Sequence, residues 1–255
     1  MRLLSDGPAM REELGSGILS LSLARPDRGN ALSEDLVAWL AEQIADAYKN
    51  EDIHTLVLQG QGRHFCTGFD LSTVATSSDG DLLARFVRIE MLLASIWHAP
   101  FRTVALATGR VWGAGADLFT ACDFRVASLS AKFCFPGAAF GLALGTRRLS
   151  SRIGADLTRR CVSEGLILSA DQALACGLAT HLTDNLDNWL SNEIPAFTLD
   201  RSTGAIIHRA TRPDHREQDL AELVRSAVRP GLVGRIITYS AGRRGIGSGH
   251  PEGST

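Results

Sequence analysis

Apolar residues follow two different periods along this chain, and each period predicts a different kind of element. Residues 17–24 (GILSLSLA) alternate between apolar and polar positions, as a half-buried strand does. Residues 55–58 and 103–107 (TVALA) are short continuous apolar runs, which favour buried strands. Between the first two strands, apolar residues three and four positions apart predict a helix over residues 34–49, and Ser33 is a suitable N-cap for it.

The helical spacing returns further along the chain. Residues 80–97 carry an apolar stripe that consists of Leu82, Leu83, Phe86, Ile89, Leu93 and Ile96. Beyond it we predict strands at 124–128, 131–135 and 179–182, and helices at 147–153, 155–166 and 170–176. Residues 199–240 are expected to be helical with breaks near Pro213 and Pro230, and the Gly-rich residues 242–255 are expected to form a flexible tail. Strands that alternate with helices in this way predict an α/β fold.

Composition and charge narrow the class of protein. A chain of 255 residues with 45% hydrophobic content is long enough for a single core. A net charge of -2 gives no electrostatic case for a nucleic-acid partner. The five cysteines are scattered without metal-ligand spacing, so we expect reduced thiols, no metal and a cytoplasmic location. No apolar stretch has the length of a signal peptide or a membrane span, so we expect no membrane partner.

A glycine-containing stretch at residues 108–123 (TGRVWGAGADLFTACD) is the first candidate for chemistry. It follows the apolar run at 103–107, and its glycines precede the start of a predicted helix. Glycine lets a backbone approach a ligand closely, and a helix N-terminus offers unpaired N–H groups and partial positive charge. The stretch therefore predicts a place to hold an anion or a developing oxyanion, with Asp117 just inside the helix.

Four separated segments carry a resemblance to a known family. ARPDRGNALS (24–33), HFCTGFDL (64–71) and TGRVWGAGADLFTACDFRVA (108–127) resemble, in order and spacing, the signature segments of the crotonase (enoyl-CoA hydratase/isomerase) superfamily. LILSADQALACGLATHL (166–182) resembles a helix and strand of the same family.

The resemblance implies an architecture. It implies the ClpP/crotonase-like spiral of ββα units over residues 1–195, a C-terminal helical region over 196–241 that serves oligomerisation, and the tail over 242–255. Members of the family assemble as trimers or as dimers of trimers, so a homotrimer or hexamer is expected.

The resemblance also implies a substrate and a site. The substrate is an acyl-CoA thioester, as in fatty acid metabolism, and coenzyme A belongs to the substrate, so no separate cofactor is expected. The matching positions assign the two N–H groups of an oxyanion hole to Phe69 and Ala114, and a catalytic acid to Asp117. Candidate residues for contact with CoA or the acyl group are Arg28, Asp70, Leu71, Trp112, Gly113 and Gly137.

One departure from the family pattern limits the reaction. Hydratases of the family place two glutamates across the substrate, and the position of the second is Gly137 here. Addition of water to an enoyl double bond uses one group to activate water and another to deliver a proton. The sequence therefore favours isomerisation, decarboxylation or hydrolysis over standard hydration.

Glu90 is the second candidate for acid–base chemistry, and two alternatives stay open for it. It lies among apolar residues of the 80–97 helix, where burial would raise its pKa and suit a general base facing the thioester. It could equally be solvated or paired with an arginine from another segment. The rival functions are a divergent hydratase that uses Glu90 with Asp117, and a non-catalytic acyl-CoA binder.

Overall fold

The computed structural model of the chain describes residues 8–195 and 199–246. Within these ranges the strands are β1 Ala9–Glu13, β2 Ile18–Leu23, β3 Thr55–Gly60, β4 Arg102–Ala107, β5 Arg110–Trp112, β6 Phe124–Ser128, β7 Lys132–Cys134, β8 Leu168–Ser169 and β9 His181–Thr183. The α-helices are α1 Glu34–Lys49, α2 Asp79–Trp97, α3 Ala114–Ala121, α4 Thr146–Ile153, α5 Ala155–Ser163, α6 Ala170–Ala175, α7 Leu186–Asn188, α8 Arg201–Thr211, α9 Arg216–Ala227 and α10 Leu232–Ile246. Shorter turns of helix cover Pro26–Arg28, Val74–Thr76, Pro136–Phe140 and Trp189–Glu193.

The strands divide between two sheets. The larger sheet has the order β1-β2-β3-β4-β6-β9, and every neighbouring pair in it is parallel except β1 with β2. The smaller sheet has the order β5-β7-β8. Consecutive strands β4 and β5 enter different sheets before α3 begins, and β6 and β7 do the same before α4. The chain thus repeats a strand–strand–helix unit, as the sequence predicts.

Local sequence accounts for the helices that border the site. Ser33 caps α1 by accepting a hydrogen bond from the Leu36 N–H, as predicted. Ser78 caps α2 through a reciprocal capping box with Asp81. Both helices turn their apolar stripes toward the main core, so their register against the sheet follows from hydrophobic periodicity.

The structure differs from the prediction at β1, β5, α5 and α7, and at the two-residue strand β8, which was not predicted. β1 (AMREE) is a partly exposed edge strand that pairs with β2 despite its charged residues. β5 has three residues and depends on its pairing with β7. α7 continues into the turn Trp189–Glu193. Trp189 and Leu190 of this turn pack with apolar residues of the large sheet in a second, smaller hydrophobic cluster. α5 ends at Ser163 rather than residue 166, because Gly165 has a φ of +67° that a helix cannot continue.

The C-terminal helices α9 and α10 contribute side chains to the same hydrophobic core as the spiral. The predicted breaks near Pro213 and Pro230 are confirmed, since α8, α9 and α10 are separated there. The carboxylate of Asp79, at the start of α2, accepts hydrogen bonds from the backbone N–H groups of Gly231 and Val233 and so caps α10.

The predicted tail needs a correction. α10 runs to Ile246, so residues 242–246 are helical, and only residues 247–255 lie outside the described part of the chain. Once a helix has been nucleated and capped, each further residue adds a backbone hydrogen bond, and this offsets the cost of isolated glycines. None of the helices in the described ranges combines the length and apolar composition that a membrane span requires.

Candidate active site

The glycine turn between β5 and α3 provides the first half of the site. The predicted turn does not follow β4 directly, because β5 lies between them. Gly113 has φ +52° and ψ −128°, a conformation that favours glycine, and its N–H donates to the Cys134 carbonyl over 2.9 Å. The N–H of Trp112 donates to the Cys66 carbonyl over 2.9 Å. These two hydrogen bonds therefore fix the backbone of Trp112 and Gly113, which directly precede Ala114, the first residue of α3.

The loop of Gly68 and Phe69 provides the second half. Gly68 has φ +95°, and a Cβ placed on it would lie 2.7 Å from the Trp112 carbonyl oxygen and 3.4 Å from the Ala114 nitrogen. The two turns thus touch with no side chain between them. Within residues 8–195 and 199–246, no hydrogen-bond acceptor is recorded for the N–H of Phe69 or for that of Ala114. Two unpaired donors brought together in this way match what an oxyanion requires.

Arg85, on α2, contacts the loop that contains Phe69 and fixes its position. Its Nη2 donates to the Asp70 carbonyl over 3.0 Å, and its Nη1 donates to the Thr73 hydroxyl over 2.9 Å. Its guanidinium lies 4.1 Å from the centre of the Phe69 ring, and that ring stacks on Phe86 with 4.3 Å between centroids. These contacts fix the peptide that carries the Phe69 N–H. Sequence reasoning missed Arg85, because its role depends on a loop packed against α2.

We expect Arg85→Met to lower kcat about 10- to 100-fold, because small displacements of an oriented group cost factors of this size. The measurement is steady-state turnover, with circular dichroism as a check on the fold. Arg88→Met is the matched control, since Arg88 lies on the same helix and pairs over 3.2 Å with Glu34 at the surface. Equal activity in the two variants would contradict a positioning role for Arg85.

An apolar chamber opens beside the two N–H groups. Its wall includes Thr67, Gly68, Phe69, Leu71, Phe86, Trp112, Gly113, Ala114, Asp117, Phe135, Pro136, Gly137, Ala138, Phe140, Leu142, Leu144, Thr146, Leu149, Val162 and Tyr239. Among these lining residues Asp117 is the only carboxyl group, and none is Arg, Lys or His. Gly137 contributes backbone to the wall, so no second acid stands at that position. Trp112 lines the chamber, as the sequence predicts.

Asp117 is a buried acid that faces this chamber. Asp117 is 6% exposed, and its carboxyl group makes no hydrogen bond to the residues that the structure describes. Burial raises the pKa of Asp117 well above its usual range, the nearby Glu90 raises it further, and Arg148 opposes both. Gly145 makes room for the carboxyl group, because a Cβ there would lie 2.6 Å from Asp117 Cγ. The surroundings of Asp117 therefore favour the protonated form of its carboxyl group more than water does.

Glu90 lies behind the chamber, outside its lining. Both of its oxygens accept from the Arg148 guanidinium, over 2.5 and 3.1 Å, and both side chains are buried. This is the ion-pair alternative of the sequence analysis, and the structure does not place Glu90 against the predicted thioester position. Arg148 also lies 3.5 Å from Asp219 on α9. Neither Arg148 nor Asp219 could be assigned to Glu90 from the sequence.

A wider groove with a mixed polar and apolar lining adjoins the chamber. It shares Thr67, Phe69, Leu71, Trp112 and Tyr239 with the chamber wall. Two arginines, Arg28 and Arg110, line it and could meet phosphate groups. Asp70 also lines the groove, but its carboxylate pairs with Arg25 over 2.8 Å.

The predicted site residues thus meet in one continuous cavity. Phe69, Ala114, Asp117, Gly113, Trp112, Leu71 and Gly137 line the chamber, and Arg28 and Asp70 line the groove. Of these predicted residues, Glu90 lines neither the chamber nor the groove. Within the ranges that the structure describes, no cluster of three or more His, Cys, Asp or Glu residues is placed to bind a metal ion.

Comparisons with known proteins agree with this architecture. The family model for enoyl-CoA hydratase/isomerase matches residues 13–196. A crystal structure of an enoyl-CoA hydratase/isomerase-type protein from Bordetella parapertussis superposes with a TM-score of 0.88, at 40% identity over 92% of this chain and 99% of that chain. A protein of Mycobacterium leprae named probable enoyl-CoA hydratase is 34% identical over 65% of this chain and 68% of its own. Ethylmalonyl-CoA decarboxylase of Xenopus tropicalis is 27% identical over 84% of this chain and 74% of its own.

The fold and these matches define an enzyme of the crotonase fold, and the predicted fold class is confirmed. Within that class, the chain belongs to the enoyl-CoA hydratase/isomerase family, because the family model covers more than half of its length.

Proposed function

We propose that this protein converts an acyl-CoA thioester through an enolate, with the Phe69 and Ala114 N–H groups as its oxyanion hole. The observation that carries the proposal is the meeting of these two unpaired donors at the wall of a chamber whose lining contains one buried carboxyl group, that of Asp117. The acyl group occupies the apolar chamber, and the CoA moiety follows the groove past Arg28. Oriented donors in a dry site favour the charge that develops on the thioester oxygen.

The single acid of the chamber favours reactions that need one proton carrier. In isomerisation, Asp117 acts from its ionised form: the carboxylate removes a proton from one carbon, the electron pair moves onto the thioester oxygen, and the carboxyl group so formed returns the proton to another carbon. In decarboxylation, a carbon–carbon bond breaks, CO₂ leaves, and protonated Asp117 delivers its proton to the enolate carbon. Hydrolysis is a third reaction that needs no acid at Gly137.

The names of two family relatives point to different reactions: decarboxylation, which belongs to this set, and hydration, which does not. The decarboxylase relative aligns over 222 residues, and the hydratase relative over 172. Hydration by Asp117 together with Glu90 is not favoured, because both Glu90 oxygens are held by Arg148 and Glu90 does not line the chamber. We also propose a homotrimer or hexamer, as is usual for the family, and light scattering measures it directly.

A panel of thioesters tests the function. It contains crotonyl-CoA for hydration, a 3-enoyl-CoA for isomerisation, a 2-carboxyacyl-CoA for decarboxylation and a saturated acyl-CoA for hydrolysis. Turnover of one of the last three, with slow hydration of crotonyl-CoA, is the expected result. Hydration at the fastest rate of the panel would overturn the proposal, and binding of all members without turnover would identify an acyl-CoA binder instead.

Restoring a second acid should restore hydration. We expect Gly137→Glu to raise crotonyl-CoA hydration at least about 10-fold, because a positioned acid or base contributes typically 10²–10⁴-fold. A Cβ on Gly137 would lie 3.3 Å from the Leu142 carbonyl oxygen, so a small shift admits the side chain. Gly137→Gln is the control of equal size, and an equal gain in both variants would contradict the role of the carboxylate.

A further inference from the structure

We propose that Asn30 is a positioning residue for the Phe69 N–H, because it locks the turn of residues 25–32 onto the loop of residues 61–69. The inference rests on the proposed function, in which the Phe69 N–H is one of the two oxyanion donors. Asn30 lines neither the chamber nor the groove, so it acts on the reaction through the backbone of this loop.

Asn30 is buried in a backbone conformation that few residues adopt. It is 0% exposed, and its φ of +56° lies in the left-handed region, where asparagine is enriched among the non-glycine residues. Its side-chain Oδ1 accepts from the Arg25 N–H over 2.9 Å. Its Nδ2 donates to the carbonyls of Gln61 and His64 over 2.9 and 2.7 Å. One buried amide group therefore joins the 25–32 turn to the start of the 61–69 loop.

The turn and the loop are in direct contact beside this amide. The Thr67 N–H donates to the Gly29 carbonyl over 2.9 Å. A Cβ placed on Gly60 would lie 2.8 Å from Asn30 Nδ2, so glycine is required there for the amide to reach its acceptors. The two segments thus fit together closely, and the position of one fixes the position of the other.

Leu32, two residues after Asn30, bonds the peptides on both sides of Phe69. The Leu32 N–H donates to the Gly68 carbonyl over 2.8 Å, and the Leu32 carbonyl accepts from the Asp70 N–H over 3.2 Å. Leu32 and Phe69 thereby form a parallel β-bridge. In such a bridge the residue whose two neighbours are bonded directs its own N–H away from the partner segment. Leu32 therefore orients the Phe69 N–H without consuming it.

The side chain of Arg25 is a second link between the turn and the loop. Its Nη1 donates to the Ala31 carbonyl over 2.6 Å and lies 2.8 Å from Asp70 Oδ2. The Arg25 N–H is itself bonded to Asn30, so the two links belong to one network. Removal of the Asn30 side chain would leave only the partly exposed Arg25 link to hold the turn in place.

The opposite edge of the 61–69 loop is bonded to β5. The Cys66 N–H donates to the Arg110 carbonyl over 3.4 Å, and the Cys66 carbonyl accepts from the Trp112 N–H over 2.9 Å. β5 leads directly into Ala114, whereas the 25–32 turn bonds the peptides around Phe69. Release of the turn would therefore displace one oxyanion donor relative to the other.

Asn30→Gly tests this role in the kinetics. Glycine adopts a positive φ without strain, so the substitution removes only the side-chain hydrogen bonds. We expect kcat to fall about 10- to 100-fold with KM within about 3-fold of the wild type, because a displaced donor loses transition-state stabilisation while the binding surfaces remain. Ser169→Ala removes the cap of α6, away from the turn and the loop, and as a control for lowered stability it should keep both constants.

Amide hydrogen exchange of the full chain tests the same variant without turnover. The N–H groups of Leu32 and Asp70 should exchange at least about 10-fold faster in Asn30→Gly than in the wild type, because their hydrogen bonds open more often. The N–H of Val126, in β6, is the reference that should not change. Unchanged exchange at Leu32 and Asp70 would overturn the positioning role. Faster exchange with wild-type kcat would instead show that the proposed use of the Phe69 N–H is wrong.

Arg25→Met keeps the inference testable should Asn30→Gly not fold. The Arg25 side chain is 21% exposed, so its replacement leaves no buried polar group of its own without a partner. We expect kcat to fall, and the exchange of the Asp70 N–H to rise, by at least about 3-fold, because the turn loses one of its two links to the loop. Wild-type values of both quantities in a folded Arg25→Met protein would show that the turn does not position Phe69.

Discussion

Ala114→Pro should lower kcat at least about 100-fold while the protein keeps its fold. Ala114 is the first residue of α3, a position at which proline is well tolerated because its missing N–H has no partner within the helix. The substitution replaces the N–H hydrogen by a ring carbon and so removes one donor of the proposed oxyanion hole. Loss of one such donor costs typically 10²–10³-fold in turnover. The measurement is kcat on whichever thioester the panel identifies, with circular dichroism and thermal melting on the same samples.

Two outcomes distinguish this effect from damage to the helix. Ala114→Gly keeps the N–H and lowers the helix propensity, so it should retain most of the activity. A folded Ala114→Pro protein with wild-type turnover would exclude the oxyanion role of this N–H. The same outcome would remove the main support of the proposed function.

Asp117→Asn should lower kcat about 10²–10⁴-fold, because the amide cannot carry the proton. Binding of the acyl-CoA should persist, since the chamber keeps its size. Asp171→Asn is the control, because Asp171 is also an acid in the first turn of a helix, α6, but lies at the surface. If Asp117 served only the helix dipole, both variants would keep full turnover and lose at most about 1 kcal/mol of stability.

The pH dependence of protein stability provides a second measurement for Asp117→Asn. The pKa of Asp117 is raised in the folded protein, so the folded state binds this proton more tightly than the unfolded chain does. Its contribution to stability is therefore complete below the unfolded pKa of about 3.9 and is lost as pH rises toward the raised value. The melting temperature of the wild type should fall, relative to that of Asp117→Asn, as the pH rises through this range. If the melting temperatures of the two proteins changed with pH in parallel, the raised pKa of Asp117 would be contradicted.

The parts of the site that sequence could predict are the ones that local chemistry determines. The turn before Ala114 is visible because glycine, strand and helix signals adjoin there, and Ser33 marks α1 by its capping chemistry. Periodicity also places Glu90 on the buried face of α2.

The parts that sequence missed depend on contacts between distant segments. Arg148 is 58 residues from Glu90, and nothing in either segment specifies the other as its partner. Arg85 is an ordinary helical arginine until the Phe69 loop packs on it. β1 is hidden by its charges because pairing with β2, and not propensity, makes it a strand. Each of these is a consequence of tertiary packing, which a single sequence does not encode locally.

The late position of α9 and α10 in the chain has a consequence for biosynthesis. By the time residue 195 has been translated, Phe69, Glu90, Ala114 and Asp117 are present. Asp219, which lies 3.5 Å from Arg148 of the buried ion pair, and Tyr239, which lines the chamber, are added only afterwards. A nascent chain therefore contains these residues before the C-terminal part of their surroundings, and a product truncated near Pro230 would contain Asp117 without the complete wall of the chamber.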